Sequence, residues 1–316
     1  MKVTPPDHPF AGARRIGGRF VNKSGRAVTR RDVWRLLRTH EAAPWPEHIP
    51  GSQAEKPLAR VTRGIRVTPM GHATVLLQVA GLNIITDPMW SDRAGPTRWL
   101  GAKRRCPPPL ALDDLPPIDV VLLSHCHYDH LDRTTLRHLE QRDRPRLVTG
   151  LNVGAITPCR NVCELDWWRS EALGGGVTAT YVPAEHGAAR GLLDQNKSLW
   201  GGFIIETPAG TIYFAGDTAF GEHFAAIRER FGAPDISLLP IGAYLPRWFM
   251  SIVHMDPHQA VEAATILGSR ITVPIHYGVF HLADDGYHEP LRTLEAALAG
   301  RDLDVRVPEF GTAVHL

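Results

Sequence analysis

Four side chains that commonly bind metal ions lie close together in residues 124–130, which read SHCHYDH and directly follow an apolar segment. Alternate residues leaving a strand point the same way, so His125 and His127 can share one metal ion. Asp129 and His130, on the turn that follows, can reach a second ion. Imidazole and carboxylate ligands together favour zinc, and iron or manganese fit the same donors.

Two metal ions need more ligands than this run supplies, so further His or Asp residues are expected at the ends of other strands. His186, Asp217 and His276 each lie where a predicted strand gives way to a loop. The alternative for any one of them is an ordinary hydrogen-bonded loop residue. Together they predict a site for two ions, with Asp217 as the carboxylate that bridges them.

The elements that position these side chains are short runs of apolar and β-branched residues, separated later in the chain by helical patterns. The predicted strands are residues 65–67, 74–79, 82–86, 120–123, 177–182, 202–206, 211–214, 236–239 and 271–273. The predicted helices are residues 31–38, 133–141, 220–230, 257–267 and 290–299. The first part of the chain shows a hairpin pattern, and the later part alternates strands with helices. This order predicts an α/β fold whose sheets are covered by helices.

The chain has 316 residues, of which 43% are hydrophobic and 22% charged, and this composition excludes disordered and fibrous proteins. Residues 1–60, rich in Pro, Gly and Arg, are predicted to form a basic extension that packs on the body of the protein. Residues 61–316 are predicted to form the domain that holds the metal site. Four cysteines are too few for a disulfide framework, so reduced thiols are expected.

The extension is strongly basic, with ten Lys or Arg residues among residues 1–38 against Asp7 and Asp32. Such an arm suggests an anionic partner, either a membrane surface or a nucleic acid, and the alternative is an arm that pairs with acidic residues of the body. The helix predicted at 31–38, which includes Trp34, would lie on a membrane or dock on the body. No apolar run is long enough to span a membrane, so a cytoplasmic protein is expected, peripheral to the inner face of a membrane if the arm binds lipid.

Several further motifs flank the metal-ligand run. They are GGRFVN at 17–22, GHATVL at 71–76, TDP at 86–88, NKSLWGGF at 196–203, GDT at 216–218 and PRWFM at 246–250. With the ligands in this order, the chain resembles the metallo-β-lactamase superfamily and, within it, the branch of N-acylphosphatidylethanolamine-hydrolysing phospholipase D. The resemblance covers nearly the whole chain.

The resemblance implies a four-layer αβ/βα sandwich of two mixed sheets flanked by helices, with a binuclear zinc site along one edge. It implies one zinc ion held by His125, His127 and His186, another by Asp129, His130 and His276, and Asp217 shared by both. Asp87, in the TDP turn, is implied to orient a ligand histidine. His72, in the GHAT turn, is assigned a structural role.

Catalytic roles are predicted for two residues. The resemblance implies that His254 would protonate the leaving oxygen, and Asp129 or a metal-held water would handle the other proton. Lys197 and Arg247 are candidate phosphate-binding cations, with surface salt bridges as the alternative. Trp248 and Tyr277 are further candidate substrate contacts, and for the aromatic residues as a group the alternative is packing in the core.

The predicted function is a metal-dependent phosphodiesterase of phospholipase D type that acts on an N-acylphosphatidylethanolamine-like lipid. A lactonase or sugar-phosphate hydrolase resembling ascorbate-6-phosphate lactonase is the alternative within the fold, and a non-enzymatic metal or lipid binding protein is the alternative outside enzymes. No nucleic-acid partner is expected. The chain departs from the pattern of the branch at Pro69-Met70, Gly95-Pro96 and Leu245. None of these departures touches a metal ligand, but they leave the identity of the substrate open.

Overall fold

The computed structural model describes residues 10–191 and 193–316, which contain two large mixed β-sheets. In chain order the strands are β1 Arg15–Ile16, β2 Arg19–Phe20, β3 Ile65–Gly71, β4 Thr74–Val79, β5 Leu82–Thr86, β6 Arg93–Thr97, β7 Leu100–Lys103, β8 Val120–Leu123, β9 Arg146–Gly150, β10 Val162–Leu165, β11 Arg169–Gly174, β12 Val177–Val182, β13 Gly202–Thr207, β14 Gly210–Phe214, β15 Ile236–Pro240, β16 Ile271–Ile275 and β17 Val314–His315. The helices are α1 Arg30–Thr39, α2 Arg133–Arg142, α3 His223–Phe231, α4 Arg247–Met250, α5 Pro257–Leu267 and α6 Glu289–Leu298.

The first sheet has the strand order β10-β9-β8-β5-β4-β3-β17. Strands β3 to β5 form an antiparallel meander, and β5, β8, β9 and β10 run parallel. Strand β8 therefore lies in the middle of the sheet, and all four of its residues are buried. Burial on both faces explains its uninterrupted apolar sequence. The metal-ligand run leaves the sheet at the carboxyl end of this strand.

The second sheet has the strand order β11-β12-β13-β14-β15-β16. Its first four strands pair antiparallel, and β14, β15 and β16 run parallel. His186 follows β12, Asp217 follows β14 and His276 follows β16. The strand ends of the second sheet therefore supply the ligands that the run after β8 lacks.

Apolar side chains of both sheets and of the helices form one main buried core. Helix α5 packs against α3, α6 and β15. Its start is fixed by Asp256, whose carboxylate accepts from the main-chain N–H of Gln259 while the Gln259 side chain accepts in return, and by Pro257 at its first position. It ends at Gly268, whose left-handed φ of 63° is typical of a glycine that terminates a helix.

The nine predicted strands and five predicted helices are confirmed, with shifts of a few residues at their ends. The two mixed sheets with flanking helices confirm the predicted fold class. The sequence prediction missed β9, β10, β11 and β17, the two-stranded β1–β2 and β6–β7 hairpins and the short helix α4. None of the helices within the described ranges is long and apolar enough to cross a membrane.

The described part of the N-terminal segment contacts the rest of the chain at several points. Phe20 is buried in the main core, and its N–H donates to the carbonyl of Asn196 at 2.8 Å. Trp45 Nε1 donates to the carbonyl of Asp285 at 2.8 Å. The predicted division of the chain at residue 60 stays a prediction.

Candidate metal centre

Three histidines form the first part of the centre. His125 Nε2 lies 2.8 Å from His127 Nδ1, and His186 Nε2 lies 3.1 Å from the same nitrogen. His125 and His127 come from the loop after β8, whereas His186 comes from the loop after β12. The two sheets thus bring three imidazole nitrogens together.

A second group surrounds the carboxylate of Asp129. Its Oδ2 atom lies 3.3 Å from His130 Nε2, 3.3 Å from His276 Nε2 and 2.9 Å from His72 Nε2. The imidazole of His130 is fully buried and that of His276 nearly so. This group again combines residues from both sheets.

Asp217 lies between the two groups. Its Oδ2 atom is 3.1 Å from both His130 Nε2 and His276 Nε2, and 3.7 Å from His186 Nε2. Its other oxygen, Oδ1, is buried and has no hydrogen-bond partner among the described residues. A carboxylate in this position can contact ions in both groups.

Hydrogen bonds behind the cluster fix the orientation of its imidazoles. Asp87 Oδ2 accepts from His130 Nδ1 at 2.6 Å and from Ser124 Oγ at 2.6 Å, while Oδ1 accepts from the Ser124 N–H at 2.7 Å. His186 Nδ1 donates to the carbonyl of Val253 at 2.8 Å. Each of these bonds leaves the opposite nitrogen, Nε2, facing the cluster.

The N-terminal segment also holds His186. The buried side chain of Asn22 accepts from the His186 N–H at 3.0 Å and donates to the His186 carbonyl at 2.8 Å. The same amide accepts from Trp200 Nε1 at 3.0 Å and donates to the carbonyl of Arg26 at 3.0 Å. All hydrogen-bonding positions of the Asn22 amide are therefore used.

Burial and the acidic residues push the pKa values of the centre in opposite directions. Burial lowers the pKa of His127 to about 3, because a charged imidazolium is unfavourable away from water. Burial also opposes charge on His276, but Asp217 and Asp129 raise the pKa of His276 to about 9. Burial alone would raise the pKa of Asp217, but His130 and His276 lower it well below its usual range. Asp217 is thus an ionised carboxylate.

These residues fit a metal site. Neutral imidazoles and ionised carboxylates are the forms that bind divalent cations, so a bound cation would replace the proton that Asp217 and Asp129 favour on His276. The nitrogens of His125, His127 and His186 converge, with only His186 within 4 Å of the Asp217 carboxylate, and the buried Oδ1 atom of Asp217 needs a partner. Donor atoms of His186, Asp217 and His254 form another such group, as do those of Asp87, His125 and His130.

A cavity of about 320 Å³ opens over the centre. Its floor includes His127, Asp129 and Asp217, and the imidazole of His254 forms part of its wall. The other walls are largely apolar, formed by Val28, Ala188, Ala189, Ala243, Phe249, Met250, Val253 and Leu282. A substrate with an apolar part can therefore reach the metal ligands.

A protein-family model described as the beta-lactamase superfamily domain matches residues 82–277, which include all seven predicted ligands. The chain belongs to the metallo-β-lactamase superfamily. It is a metal-dependent hydrolase of this superfamily.

Similar proteins indicate the branch of the superfamily in which the chain lies. An uncharacterised protein of Mycobacterium tuberculosis is 37% identical over 290 residues, which cover 89% of this chain and 77% of that protein. The N-acyl-phosphatidylethanolamine-hydrolyzing phospholipase D 1 of Caenorhabditis elegans is 36% identical over 264 residues, which cover 79% of this chain and 74% of the relative. The chain thus lies in the branch of the metallo-β-lactamase superfamily that resembles this phospholipase D.

Solved structures share the metallo-β-lactamase fold. A metallo hydrolase from Ignicoccus hospitalis superposes with a TM-score of 0.61 at 24% identity, covering 80% of this chain and 98% of that chain. The isothiocyanate hydrolase from Delia radicum gut bacteria superposes with a TM-score of 0.63 at 19% identity, covering 79% and 98% respectively. At these identities the likeness concerns the fold alone.

None of the four residues predicted to contact substrate is among the described residues that line the cavity. These residues are Lys197, Arg247, Trp248 and Tyr277. Arg247 Nε pairs with Asp256 Oδ2 at 3.2 Å, and Arg247 Nη1 donates to the carbonyl of His254 at 3.2 Å. Trp248 lies under the guanidinium of Arg35, Tyr277 packs on Phe310, and Lys197 is exposed. Their binding to substrate stays a prediction.

Two residues of the site were missed by the sequence analysis. His72, assigned only a structural role, contacts Asp129, and Asn22, in the GGRFVN motif, contacts His186. Both residues lie in sequence motifs that carry the family resemblance. Their place in these motifs is the sequence signal that could have identified them. Cys126, which lies between the ligands His125 and His127 in the sequence, is buried with its sulfur 3.2 Å from Ser198 Oγ.

Proposed function

We propose that this metal-dependent hydrolase is a zinc-dependent phosphodiesterase of phospholipase D type, with a lipid phosphodiester such as an N-acylphosphatidylethanolamine as substrate. One observation carries the proposal: the cavity over the metal ligands has largely apolar walls and a floor of histidine and aspartate side chains. Such a cavity suits a molecule that joins an anionic phosphodiester to acyl chains. The similarity to the phospholipase D of Caenorhabditis elegans supports the same substrate class.

The proposal assigns the seven ligands to two zinc ions. One ion would be held by His125, His127 and His186, the other by Asp129, His130 and His276, and both by Asp217. When bound, two such ions lower the pKa of a water molecule to supply a nucleophile and stabilise charge on the phosphoryl oxygens.

The side chains of the chain itself orient the substrate and move protons. Burial lowers the pKa of His254 well below its ordinary value, so its imidazole is neutral. His254 Nδ1 has no hydrogen-bond partner among the described residues, and the side chain faces the cavity. We assign His254 as the donor of a hydrogen bond to the leaving oxygen, and the ionised Asp129 as the acceptor of a proton.

The experiment compares two substrates on zinc-loaded protein, each with and without a chelator. One is an N-acylated phosphatidylethanolamine in mixed micelles, and the other is a soluble aryl phosphodiester. We expect chelator-sensitive release of phosphatidic acid from the lipid, and its loss in His127→Ala. Turnover of the aryl ester alone would refute the lipid assignment and favour small phosphodiesters or lactones. Turnover of neither would favour a binding protein.

We also propose that α1 contacts the membrane that holds the lipid. Trp34 is 57% exposed and Leu37 is 76% exposed on this helix, and Arg31, Arg35 and Arg38 accompany them. Leu36 packs against the apolar cluster that contains Phe249 and Met250, two residues that line the cavity, so the helix lies near the cavity. Apolar side chains beside arginines are typical of helices that lie on anionic lipid. A cytoplasmic location with this peripheral contact stays a prediction.

A matched pair of exposed side chains tests the membrane contact. Trp99 and Leu100, on the β6–β7 hairpin, are 70% and 61% exposed. We expect the double substitution Trp34→Ala and Leu37→Ala to weaken sedimentation with anionic phospholipid vesicles severalfold. The double substitution Trp99→Ala and Leu100→Ala is the control and should leave it unchanged. Equal effects of the two pairs would contradict the role of α1.

A further inference from the structure

His72 lies in the tight turn between β3 and β4, beside the candidate metal centre. Its side chain is buried, and its φ of 56° places the main chain in the left-handed region. A residue other than glycine adopts this conformation only where the surrounding structure enforces it. The unusual turn directs the imidazole of His72 toward the cluster.

The imidazole of His72 contacts one predicted ligand directly. His72 Nε2 lies 2.9 Å from Asp129 Oδ2, closer than the nitrogens of His130 and His276, which are each 3.3 Å away. A carboxylate only accepts hydrogen bonds, so the imidazole of His72 donates. The shortest hydrogen bond of Asp129 within the cluster is thus made by a residue that was assigned no chemical role.

The main chain of His72 holds a second predicted ligand. The carbonyl of His72 accepts from the His276 N–H at 2.9 Å, and the two ring centroids are 4.1 Å apart. Asp129 follows a strand of the first sheet, and His276 follows a strand of the second. His72 therefore fixes the relative position of two ligands that come from different sheets.

We infer that His72 is a positioning residue, which holds the Asp129 carboxylate in place for metal binding and does not bind the metal itself. The Nε2 atoms of His130 and His276 each lie 3.1 Å from the central Asp217 carboxylate, whereas of these two carboxylates His72 Nε2 contacts only Asp129, so we assign His72 as a donor to a ligand. Partners that hydrogen-bond to metal ligands raise metal affinity, and their loss costs about 10–100-fold. The inference rests on the proposed role of Asp129 as a ligand.

The test measures zinc affinity and zinc content, without any substrate. Full-length wild type, His72→Ala and His72→Gln compete for zinc with a chromophoric chelator, and elemental analysis gives the zinc content at saturation. His138→Ala is the matched control, because His138 Nε2 faces Asp113 Oδ1 at 2.7 Å on the surface, away from the cluster. Asp129→Ala tests the assignment of the ligand itself.

We expect zinc affinity to fall about 10–100-fold in His72→Ala and to recover to within about threefold of wild type in His72→Gln, whose amide nitrogen can replace Nε2 as donor. Zinc content at saturation should match wild type in both variants, and His138→Ala should leave affinity unchanged. A lower zinc content in His72→Gln would show that His72 is a ligand and would overturn the inference. Unchanged affinity in His72→Ala would overturn it too.

Two further outcomes are decisive. If His72→Ala does not fold, the zinc content and affinity of His72→Gln still separate a donor from a ligand. If Asp129→Ala retains wild-type zinc affinity, Asp129 is not a ligand, and the proposed role of His72 fails with that assignment. This outcome differs from a failure of the His72 inference alone, in which Asp129→Ala loses zinc affinity but His72→Ala does not.

Discussion

Replacing Asn22 by alanine tests whether the N-terminal segment supports the metal centre. The substitution removes both hydrogen bonds to the main chain of His186 and leaves the buried N–H of His186 without its partner. An unsatisfied buried polar group costs about 1–3 kcal/mol, and the N–H and the carbonyl of His186 both lose their partner, so we expect the free energy of unfolding to fall by about 2–6 kcal/mol. Because His186 is also a proposed ligand, zinc affinity should fall by about tenfold or more.

The assay is urea unfolding at saturating zinc, followed by tryptophan fluorescence, together with chelator competition for affinity. Asn161→Ala is the control, because Asn161 lies on the surface and its loss should change stability by less than about 0.5 kcal/mol. An Asn22→Ala variant within about 0.5 kcal/mol of wild type would refute the reasoning. A stability loss with wild-type zinc affinity would show that Asn22 supports the fold alone.

Three further outcomes follow from the contacts of the site and of α1. In Asp87→Asn, an NH₂ group faces the donors of His130 and Ser124, so zinc affinity measured by chelator competition should fall about 10–100-fold. A chelator should lower the thermal unfolding temperature and added zinc should restore it, since an ion present at 100 times its dissociation constant contributes about 2.7 kcal/mol. Hydrogen bonds from Thr29 lower the pKa of Asp32, so the stability difference between wild type and Asp32→Asn, measured by urea unfolding, should be present above about pH 4 and shrink as pH falls through the folded pKa.

The ligand set could be predicted because each ligand follows a strand that is itself visible in the sequence. Val120–Leu123 and Ile271–Ile275 are fully buried strands, so their apolar runs mark where His125 and His276 begin to leave the sheets. The structure brings the predicted ligands together within hydrogen-bonding distances. Their assignment to two zinc ions stays a proposal.

Other features depend on contacts between distant residues. Strand β9 has only five residues and directly follows Arg144 and Pro145, so the local sequence gives a weak strand pattern. It forms a strand because β8 and β10 pair with its two edges. The contact of His72 with Asp129 depends on a left-handed turn and joins residues 57 positions apart. The bond between Asn22 and His186 spans 164 positions. No local pattern of polarity encodes such pairings.

The two sheets have a consequence for how the centre assembles. Each sheet contains a meander of three antiparallel strands, β3 to β5 or β12 to β14, continued by parallel strands. The first supplies four of the seven proposed ligands and the second supplies three, so neither half of the chain contains a complete donor set. A chain cut between β10 and β11 would recover tight metal binding only when its fragments reassociate, which makes metal affinity a reporter of fragment complementation. With ions bound as proposed, mechanical separation of the sheets would likewise have to break bonds between the ions and their ligands.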